Sequence, residues 1–321
     1  MTKTDYYGTP KEAGREARNR NIAGEVQGWV ENSEGWFYLG DIDRELQILS
    51  KDDKSARMQE IHRLYKEKKI RRDKHRQGRY KKLHERKPME WWNASKTPLD
   101  LWLPFGLSDP NTDPYIKIYN GNMIICAGMG DSGKTLLAYE FADKNIARNP
   151  FDNKIQVVVS EQDKSEVRVV LEDVPSYSHE EWRDSVEIWP RGGNDWADLV
   201  FPNAINIFDY VTEYDEAWKI GRELRDIYDA MEGEPGVVWV NLQKDYDRDT
   251  GRGGSVTKDL SRLYLSITSY EDGPSTIKIV KGKLKGKGKV RGLRHKFDIS
   301  DDGTIVELGN WYRDGNMGRW G

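Results

Sequence analysis

Residues 123–135 read MIICAGMGDSGKT and contain the most informative pattern in the chain. The apolar run Met123–Ala127 predicts a buried strand, and residues 128–135 fit the spacing G-x-x-x-x-G-K-[ST]. Apolar residues at helical spacing begin at Leu136 and stop at Asn149-Pro150, a pair that is typical of a helix end. The local order is therefore strand, glycine-rich loop and helix.

That loop has the composition of a phosphate cradle. Its glycines let successive backbone N–H groups point at phosphate oxygens, and the N-terminus of the helix adds partial positive charge. We expect Lys134 to reach the β- and γ-phosphates and Thr135 to ligate Mg²⁺, with an ordinary glycine turn as the alternative. The predicted cofactors are ATP and Mg²⁺. The predicted nucleotide-binding residues are Gly128, Met129, Gly130, Asp131, Ser132, Gly133, Lys134 and Thr135.

Three later apolar runs each end in a polar residue. Residues 155–159 (IQVVV) precede Glu161, which could deprotonate an attacking water or be a surface glutamate. Residues 205–208 precede Asp209-Tyr210. Residues 236–240 precede Gln243, whose amide could bond the γ-phosphate or cap a turn. Because strands alternate with amphipathic helices, the pattern predicts an α/β fold with a mostly parallel sheet.

The order of these features resembles the RecA/DnaB superfamily of ring- and filament-forming ATPases. The pair Asp209-Tyr210 and the segment VVVSEQ at 157–162 resemble DnaB-type replicative helicases most. The resemblance covers roughly residues 115–299, somewhat over half of the chain. It implies a RecA-like P-loop NTPase core in which Asp209 joins Thr135 in the Mg²⁺ shell. It also implies that ATP binds between neighbouring subunits of a homo-oligomer.

The resemblance also concerns two later segments. The first is the glycine-rich loop that contains Arg248 and Arg252, which the resemblance implies faces DNA in a central channel. DnaB-type helicases also carry a Lys-x-Arg whose arginine acts on the neighbour's ATP. The matching stretch here is IKIVKGK at 277–283, so Lys283 stands in place of that arginine. Lysine lacks the planar guanidinium fork, so we expect slower or differently triggered hydrolysis, unless Arg291 or Arg294 substitutes.

Charge is distributed unevenly along a chain of formal net charge −3. Residues 51–87 hold 16 Lys/Arg against 6 Asp/Glu, and residues 281–296 hold eight Lys/Arg and no acid. Lysines at alternate positions from 281 to 289 would share one face of a strand or hairpin. This segment could contact a phosphate backbone, could place Lys281 and Lys283 on a neighbour's ATP as catalytic cations, or could be a solvated hairpin.

A second pattern occupies residues 21–87. It predicts a helix, a short aromatic strand at Gly35–Leu39, two helices and a basic hairpin turning at Gln77-Gly78. This order resembles the winged helix-turn-helix family in pattern, rather than by a fixed motif. The third helix would then enter the major groove of DNA and the hairpin would lie along phosphates, with a protein-binding wing as the alternative. The predicted DNA-binding residues here are Lys54, Arg57, Arg63, Arg71, Arg72, Arg76 and Arg79.

These patterns divide the chain into a disordered segment (1–20), a winged helix-turn-helix domain (21–87), a proline-rich linker (88–114), a RecA-like ATPase domain (115–300) and a C-terminal tail (301–321). No run approaches the ~18 apolar residues of a membrane span. The N-terminus lacks an apolar signal core, and the single cysteine, Cys126, fits a reducing compartment. We therefore expect a cytoplasmic protein without a membrane partner.

The function predicted from the sequence is an ATP hydrolase, a DNA helicase or translocase in replication or recombination, that binds single- or double-stranded DNA and assembles with itself. Two alternatives remain open. One is an ATP-controlled DNA-binding filament, loader or mediator that does not unwind DNA. The other is an ATP-gated winged-helix transcriptional regulator.

Overall fold

The computed structural model describes residues 20–33, 35–73, 76–83, 91–172, 178–192, 195–212, 219–283, 285–287, 289–301 and 303–314. The chain divides into two compact units, Met1–Ala94 and Ser95–Gly321, called here the first and the second unit. Apart from residue 20, the segment predicted to be disordered lies outside the described residues. Within the described ranges, no helix combines the length and the apolar character needed to cross a membrane.

The described part of the first unit holds helices and a three-stranded antiparallel sheet. Side-chain oxygens of Asn21 and Ser50 cap the first and third of these helices. The element order is the one predicted from the sequence, and the third strand lies between the other two. In chain order the elements are α1 (Ile22–Asn32), β1 (Trp36–Tyr38), α2 (Leu39–Glu45), α3 (Lys51–Lys66), β2 (Ile70–Arg72) and β3 (Arg79–Lys82).

The core of the first unit lies between the helices and one face of the sheet. Phe37 and Tyr80, which are paired across β1 and β3, are buried together with Ile61 and Leu64 of α3. Alternate strand residues point away from this core, because successive side chains of a strand lie on opposite faces.

The second unit is an α/β structure with a mostly parallel nine-stranded sheet flanked by helices. Its strands are β4 (Tyr115–Ile116), β5 (Asn122–Gly128), β6 (Ile155–Val159), β7 (Val186–Pro190), β8 (Ala204–Val211), β9 (Gly236–Gln243), β10 (Leu263–Thr268), β11 (Ser275–Gly282), β12 (Lys285–Lys287), β13 (Arg294–Ile299) and β14 (Ile305–Tyr312). Its described α-helices are α4 (Lys134–Asn145), α5 (Lys164–Glu172), α6 (His179–Ser185) and α7 (Ile220–Ala230).

Six parallel strands form the centre and one side of the sheet, in the order β10-β5-β9-β8-β6-β7. Strands β11, β13 and β14 continue the sheet beyond β10 in antiparallel fashion, while β12 pairs separately with β4. All carboxyl ends of the six parallel strands therefore meet at one edge. Polar residues at these ends are brought together although they lie far apart in sequence.

Both faces of the parallel strands are buried. Ile124 and Cys126 of β5 belong to the core cluster that includes Phe141 of α4, whereas Met123 and Ile125 belong to the cluster that includes Leu224 of α7. This double burial explains why the strands read as continuous apolar runs.

The structure corrects two of the predicted boundaries. The segment 301–321, expected to be a tail, contributes β14, which pairs with β13 at the edge of the sheet. Part of the expected linker 88–114 belongs to the core of the second unit: Leu101, Leu103, Phe105 and Leu107 are buried there. Prolines marked this segment as a linker, but its alternating apolar residues decide its packing.

Candidate functional site

The phosphate-loop pattern connects β5 to α4 at the carboxyl edge of the parallel strands. Gly133 precedes the helix with φ of 82°, a conformation that favours glycine. A Cβ at Gly128 would lie 2.3 Å from Ser132 Oγ, so the loop needs a residue without a side chain there. The helical end of the loop lines a cavity of about 360 Å³. The cavity-lining residues are Asp131, Ser132, Gly133, Lys134, Thr135, Leu136, Gln162, Val170 and Gly303.

Lys134 lies largely inside this loop, with 8% of its surface exposed. Its ammonium donates a hydrogen bond to the carbonyl of Met129. Burial lowers the pKa of Lys134, and the charges of Asp209, Asp131 and Glu161 act in the opposite direction. A cation held in this low-dielectric position interacts more strongly with an anion than one in water would.

Asp209 lies near the end of β8 and is 5% exposed. Its carboxylate accepts a hydrogen bond from Asn241 Nδ2 at 2.8 Å, and the side chain of Thr135 lies close to it. Burial raises the pKa of Asp209, while the neighbouring side chains of Asn241 and Thr135 and the charge of Lys134 lower it. The structure thus brings together Thr135 and Asp209, the two residues expected in the metal shell.

These two oxygen-bearing side chains fit Mg²⁺ in its usual protein setting. Mg²⁺ commonly takes one or two carboxylates together with substrate phosphates and water. Among the described residues, no group of three or more His, Cys, Asp or Glu could hold a metal ion by itself. An Asp–Thr pair beside a phosphate loop needs no such group, because the phosphates supply further oxygens.

Asn241 is a residue of this site that the sequence reasoning did not select. It is fully buried in β9, and its Nδ2 also donates to the main-chain carbonyl of Lys134 at 3.0 Å. Its Oδ1 accepts from Trp239 Nε1 at 2.8 Å. One amide therefore connects Asp209 to the first turn of α4. The available signal was a polar residue inside the apolar run GVVWVNL at 236–242.

Glu161 follows β6 at the same edge of the sheet. The hydroxyl of Tyr210, the residue after Asp209, donates to Glu161 Oε1 at 2.5 Å. Two other acidic side chains near this position form hydrogen bonds with the backbone at the start of α5 instead. Asp163 accepts hydrogen bonds from the backbone N–H groups of Ser165 and Glu166, and Glu166 accepts one from Asp163.

Gln243 ends β9 beside the first glycine of the phosphate loop. It pairs with Gly128 in the parallel register, and the N–H of Lys244 donates to the Gly128 carbonyl at 3.0 Å. The structure therefore places the backbone of the predicted sensor residue against the loop.

The next segment, 245–253, carries the two arginines expected to face DNA. Arg248 and Arg252 are both exposed, and Arg252 lies 3.7 Å from Asp245. Lys244 is buried beneath them and donates to the Arg248 carbonyl and to Thr268 Oγ1. Three aspartates in this segment offset its cations, so the loop has no excess positive charge.

Lys281 and Lys283 lie at the opposite, amino edge of the parallel strands. The N–H of Lys283 donates to the carbonyl of Arg262, whose own N–H donates to Met123 near the start of β5. Five residues of β5 separate that level from Gly128, which is roughly 16 Å at ~3.3 Å per residue. The two lysines therefore lie far from the phosphate loop of the same chain.

The two lysines differ in their surroundings. The Lys281 ammonium donates to the carbonyls of Lys258 and Asp259, and burial together with the charge of Lys283 lowers the pKa of Lys281 to about 8. Lys283 is exposed. The alternating cations do not form one strand: β11 ends at Gly282, and β12 pairs with β4 instead of folding back on β11.

The structure corrects one residue of the predicted DNA-binding set. Arg57 is 7% exposed, lies 3.3 Å from Asp43 and donates to the Leu39 carbonyl. It occupies the inner face of α3, at helical spacing from Ile61 and Leu64, so it cannot enter a groove of DNA. Lys54 on the same helix is exposed.

The remaining predicted cations of the first unit differ in how they are held. Arg63 is bound by Glu60 and Glu67, and Arg79 is half-buried beside Asp73 at 3.2 Å. Three others are exposed on or near the hairpin: Arg71, Arg72 and Arg76.

Comparison with models of known protein families gives no match, and comparison with curated proteins gives none either. The function is therefore inferred from the residues themselves and from their arrangement.

Proposed function

We propose that this protein is an ATP hydrolase of the RecA/DnaB type that acts on DNA as a helicase or translocase. One observation carries this proposal: Asn241 bonds both the buried Asp209 carboxylate and the start of α4, the helix that begins with Lys134 and Thr135. Strand β9, which bears Asn241, lies between the loop strand β5 and the Asp209 strand β8. Thus a cation, a hydroxyl and a carboxylate suited to Mg-nucleotide surround one loop.

Each of these residues has a role in the proposed reaction. Lys134 would exchange the Met129 carbonyl for phosphate oxygens, since its ammonium already lies within the loop. Thr135 and Asp209 would hold Mg²⁺, which when bound neutralises charge that develops on the transferred phosphoryl group. Glu161 would accept the proton of the attacking water, and the Tyr210 hydroxyl would hold that carboxylate in place.

The distribution of cations favours self-association. Lys134 and Lys283 belong to opposite edges of one sheet, so Lys283 cannot act on the nucleotide of its own chain. In a head-to-tail arrangement, the amino edge of one copy would face the carboxyl edge of the next. Such a heterologous contact generates rings or filaments. The proposal therefore places Lys283 on the nucleotide of a neighbouring copy.

We assign DNA binding to the first unit as a winged helix-turn-helix domain. Its element order and its sheet order, β1-β3-β2, support this assignment, as does the excess of cations in residues 51–87. Lys54 on α3 and Arg71, Arg72 and Arg76 on or near the hairpin remain candidates for DNA contacts. Arg57 is excluded from the set.

A second candidate is an ATP-controlled DNA-binding filament or loader without unwinding activity. The state of Lys281 favours it, because this ammonium is bonded to two carbonyl groups of its own chain. A neighbour would then offer Lys283 alone, a point charge that lacks the fork of an arginine.

The deciding experiment compares the full chain with its Lys134→Ala variant. We expect the wild type to bind a fluorescent ATP analogue, to hydrolyse ATP faster with DNA and to displace a labelled strand. Lys134→Ala should abolish hydrolysis, whereas Lys144→Ala, which alters a half-exposed lysine in the last turn of α4, should not. Failure of the wild type to bind ATP would refute the ATPase proposal. Hydrolysis without strand displacement would favour the filament or loader.

A further inference from the structure

The outer face of the sheet in the first unit carries an unusual set of side chains. Trp36 pairs with Lys81, Tyr38 pairs with Arg79, and Arg71 pairs with Lys81 across the antiparallel ladder. Residues directly opposite each other share a face, so these five side chains point to the same side. The buried pair Phe37 and Tyr80 belongs to the other side, against the helices.

Four of these side chains form a row in which cations and aromatic rings alternate. The guanidinium carbon of Arg71 lies 4.9 Å from the centre of the Trp36 ring. Arg79 lies 5.0 Å from the same ring and 5.8 Å from the ring of Tyr38. Arg71 is exposed, and 41% of the surface of Tyr38 is exposed. The row thus presents flat surfaces and positive charge together.

This combination matches single-stranded nucleic acid better than a duplex. Unpaired bases stack on aromatic rings and on guanidinium planes, and their phosphates are attracted by nearby cations. In a duplex the base faces are already stacked on one another, so exposed rings contribute little. None of the five outward strand positions is acidic, which suits a polyanionic ligand. Arg79 is paired with Asp73, which follows β2, at 3.2 Å, so the exposed Arg71 is the cation placed to attract phosphate.

We propose that this face, defined by Trp36, Tyr38, Arg71, Arg79 and Lys81, is a stacking platform for single-stranded nucleic acid. It is distinct from the exposed side of α3, because the buried core of the first unit separates that helix from the outer face of the sheet. The platform requires neither ATP hydrolysis nor groove recognition by α3.

The test uses the full chain in a Lys134→Ala background without nucleotide, so that nucleotide-dependent binding elsewhere makes no contribution. A labelled oligothymidylate and a duplex of the same length serve as probes in fluorescence anisotropy. Tyr38→Leu should weaken single-strand binding about 5- to 100-fold, the range that loss of one stacked base implies. It should change duplex binding less than about 2-fold, because a duplex offers no free base faces.

The dependence of binding affinity on salt concentration distinguishes base stacking from phosphate contacts. Tyr38→Leu removes no charge, so the dependence of affinity on salt should keep its slope. Arg71→Ala should reduce that slope by about 0.7, the value for one phosphate contact on a single strand. Two matched controls are Tyr65→Leu, an exposed tyrosine on α3, and Arg44→Ala, an exposed arginine on α2, and both should leave single-strand binding unchanged.

A further substitution at Tyr38 distinguishes loss of the ring from misfolding of the first unit. Tyr38→Trp keeps a ring at the same position and should retain single-strand affinity if Tyr38→Leu acts by losing a stacking surface. Unchanged single-strand binding in Tyr38→Leu would overturn the proposal. So would equal losses for the single strand and the duplex, because they would indicate phosphate contacts alone. Failure of the ATPase proposal would leave these results unaffected.

Discussion

Asn241 Nδ2 donates to the Asp209 carboxylate at 2.8 Å and to the Lys134 carbonyl at 3.0 Å. This amide is completely buried, and it joins the end of β8 to the first turn of the helix that follows the phosphate loop. The position of the proposed metal-binding carboxylate thus depends on a residue from a third segment of the chain.

Asn241→Ala should therefore impair both stability and metal use. The free energy of unfolding should fall by about 1–3 kcal/mol, because several buried groups lose a hydrogen-bond partner. The Mg²⁺ concentration that half-saturates ATP hydrolysis should rise about 10- to 100-fold, as for other residues that orient a metal ligand. Chemical denaturation and a Mg²⁺ titration measure the two effects.

The matched control for this prediction is Asn206→Ala. Asn206 is also buried in β8, but it bonds the main chain of Phe201 instead of the site. The Asn206→Ala substitution should lower the free energy of unfolding by a similar amount. It should leave unchanged the Mg²⁺ concentration that half-saturates ATP hydrolysis. If both variants shift the Mg²⁺ dependence equally, the prediction that Asn241 positions the metal-binding carboxylate of Asp209 is wrong.

Glu161→Gln should stop hydrolysis while ATP binding persists. The substitution keeps the size of the side chain but removes the proton acceptor, so turnover should fall about 10²- to 10⁴-fold. Single-turnover hydrolysis and binding of a fluorescent ATP analogue provide the two measurements. Glu166→Gln is the control, since the Glu166 carboxylate accepts a hydrogen bond from the Asp163 N–H at the start of α5, and its substitution should leave turnover within about 2-fold of the wild type. Hydrolysis at the wild-type rate in Glu161→Gln would show that another group is the base.

Lys283→Ala and Lys134→Ala should each be nearly inactive alone and partly active when mixed. Loss of one cation that stabilises developing charge typically costs about 10²- to 10³-fold in turnover. In a mixture, some interfaces would pair an intact phosphate loop with an intact Lys283 from the neighbour. Steady-state ATPase activity across mixing ratios tests this arrangement.

The control for the mixing experiment is Lys289→Ala, another exposed lysine of the cationic segment. It should retain activity on its own. Mixtures that stay as inactive as the separate variants would argue against action of Lys283 between subunits. Lys283→Ala with normal hydrolysis but weaker DNA binding would assign this lysine to DNA.

His295→Phe should make the protein less sensitive to acid. His295 is buried, with its ring 4.7 Å from that of Phe105 and 3.7 Å from the Glu307 carboxylate. Burial lowers the pKa of His295 in the folded chain. Below about pH 6.5, the unfolded chain therefore takes up a proton that the folded chain resists, and stability is lost as pH falls.

Phenylalanine preserves the ring stacking and removes the titrating group. The loss of thermal stability between neutral and mildly acidic pH should therefore be smaller in His295→Phe than in the wild type. His62→Phe is the control, because His62 is exposed on α3. An identical pH dependence in His295→Phe and the wild type would contradict the assignment.

The sequence by itself determined the elements whose signals are local. Strand β6 coincides with the predicted run 155–159, and the strand, loop and helix around Lys134 occur where the pattern predicted them. Glu161, Asp209 and Gln243 were selected as candidate site residues because each follows an apolar run. Parallel strands then bring such residues to one edge, so their proximity could be expected before any contact was known.

Only the tertiary structure decided which distant segments meet. The inward position of Arg57 and the bonds of Asn241 each depend on partners that are remote in sequence. The same holds for Lys281 and Lys283, whose place at the amino edge follows from the pairing of β10, the neighbour of β11, with the distant strand β5. The local hydrophobic pattern of a segment indicates which of its side chains are buried. Which other segment packs against it depends on how the whole core is filled.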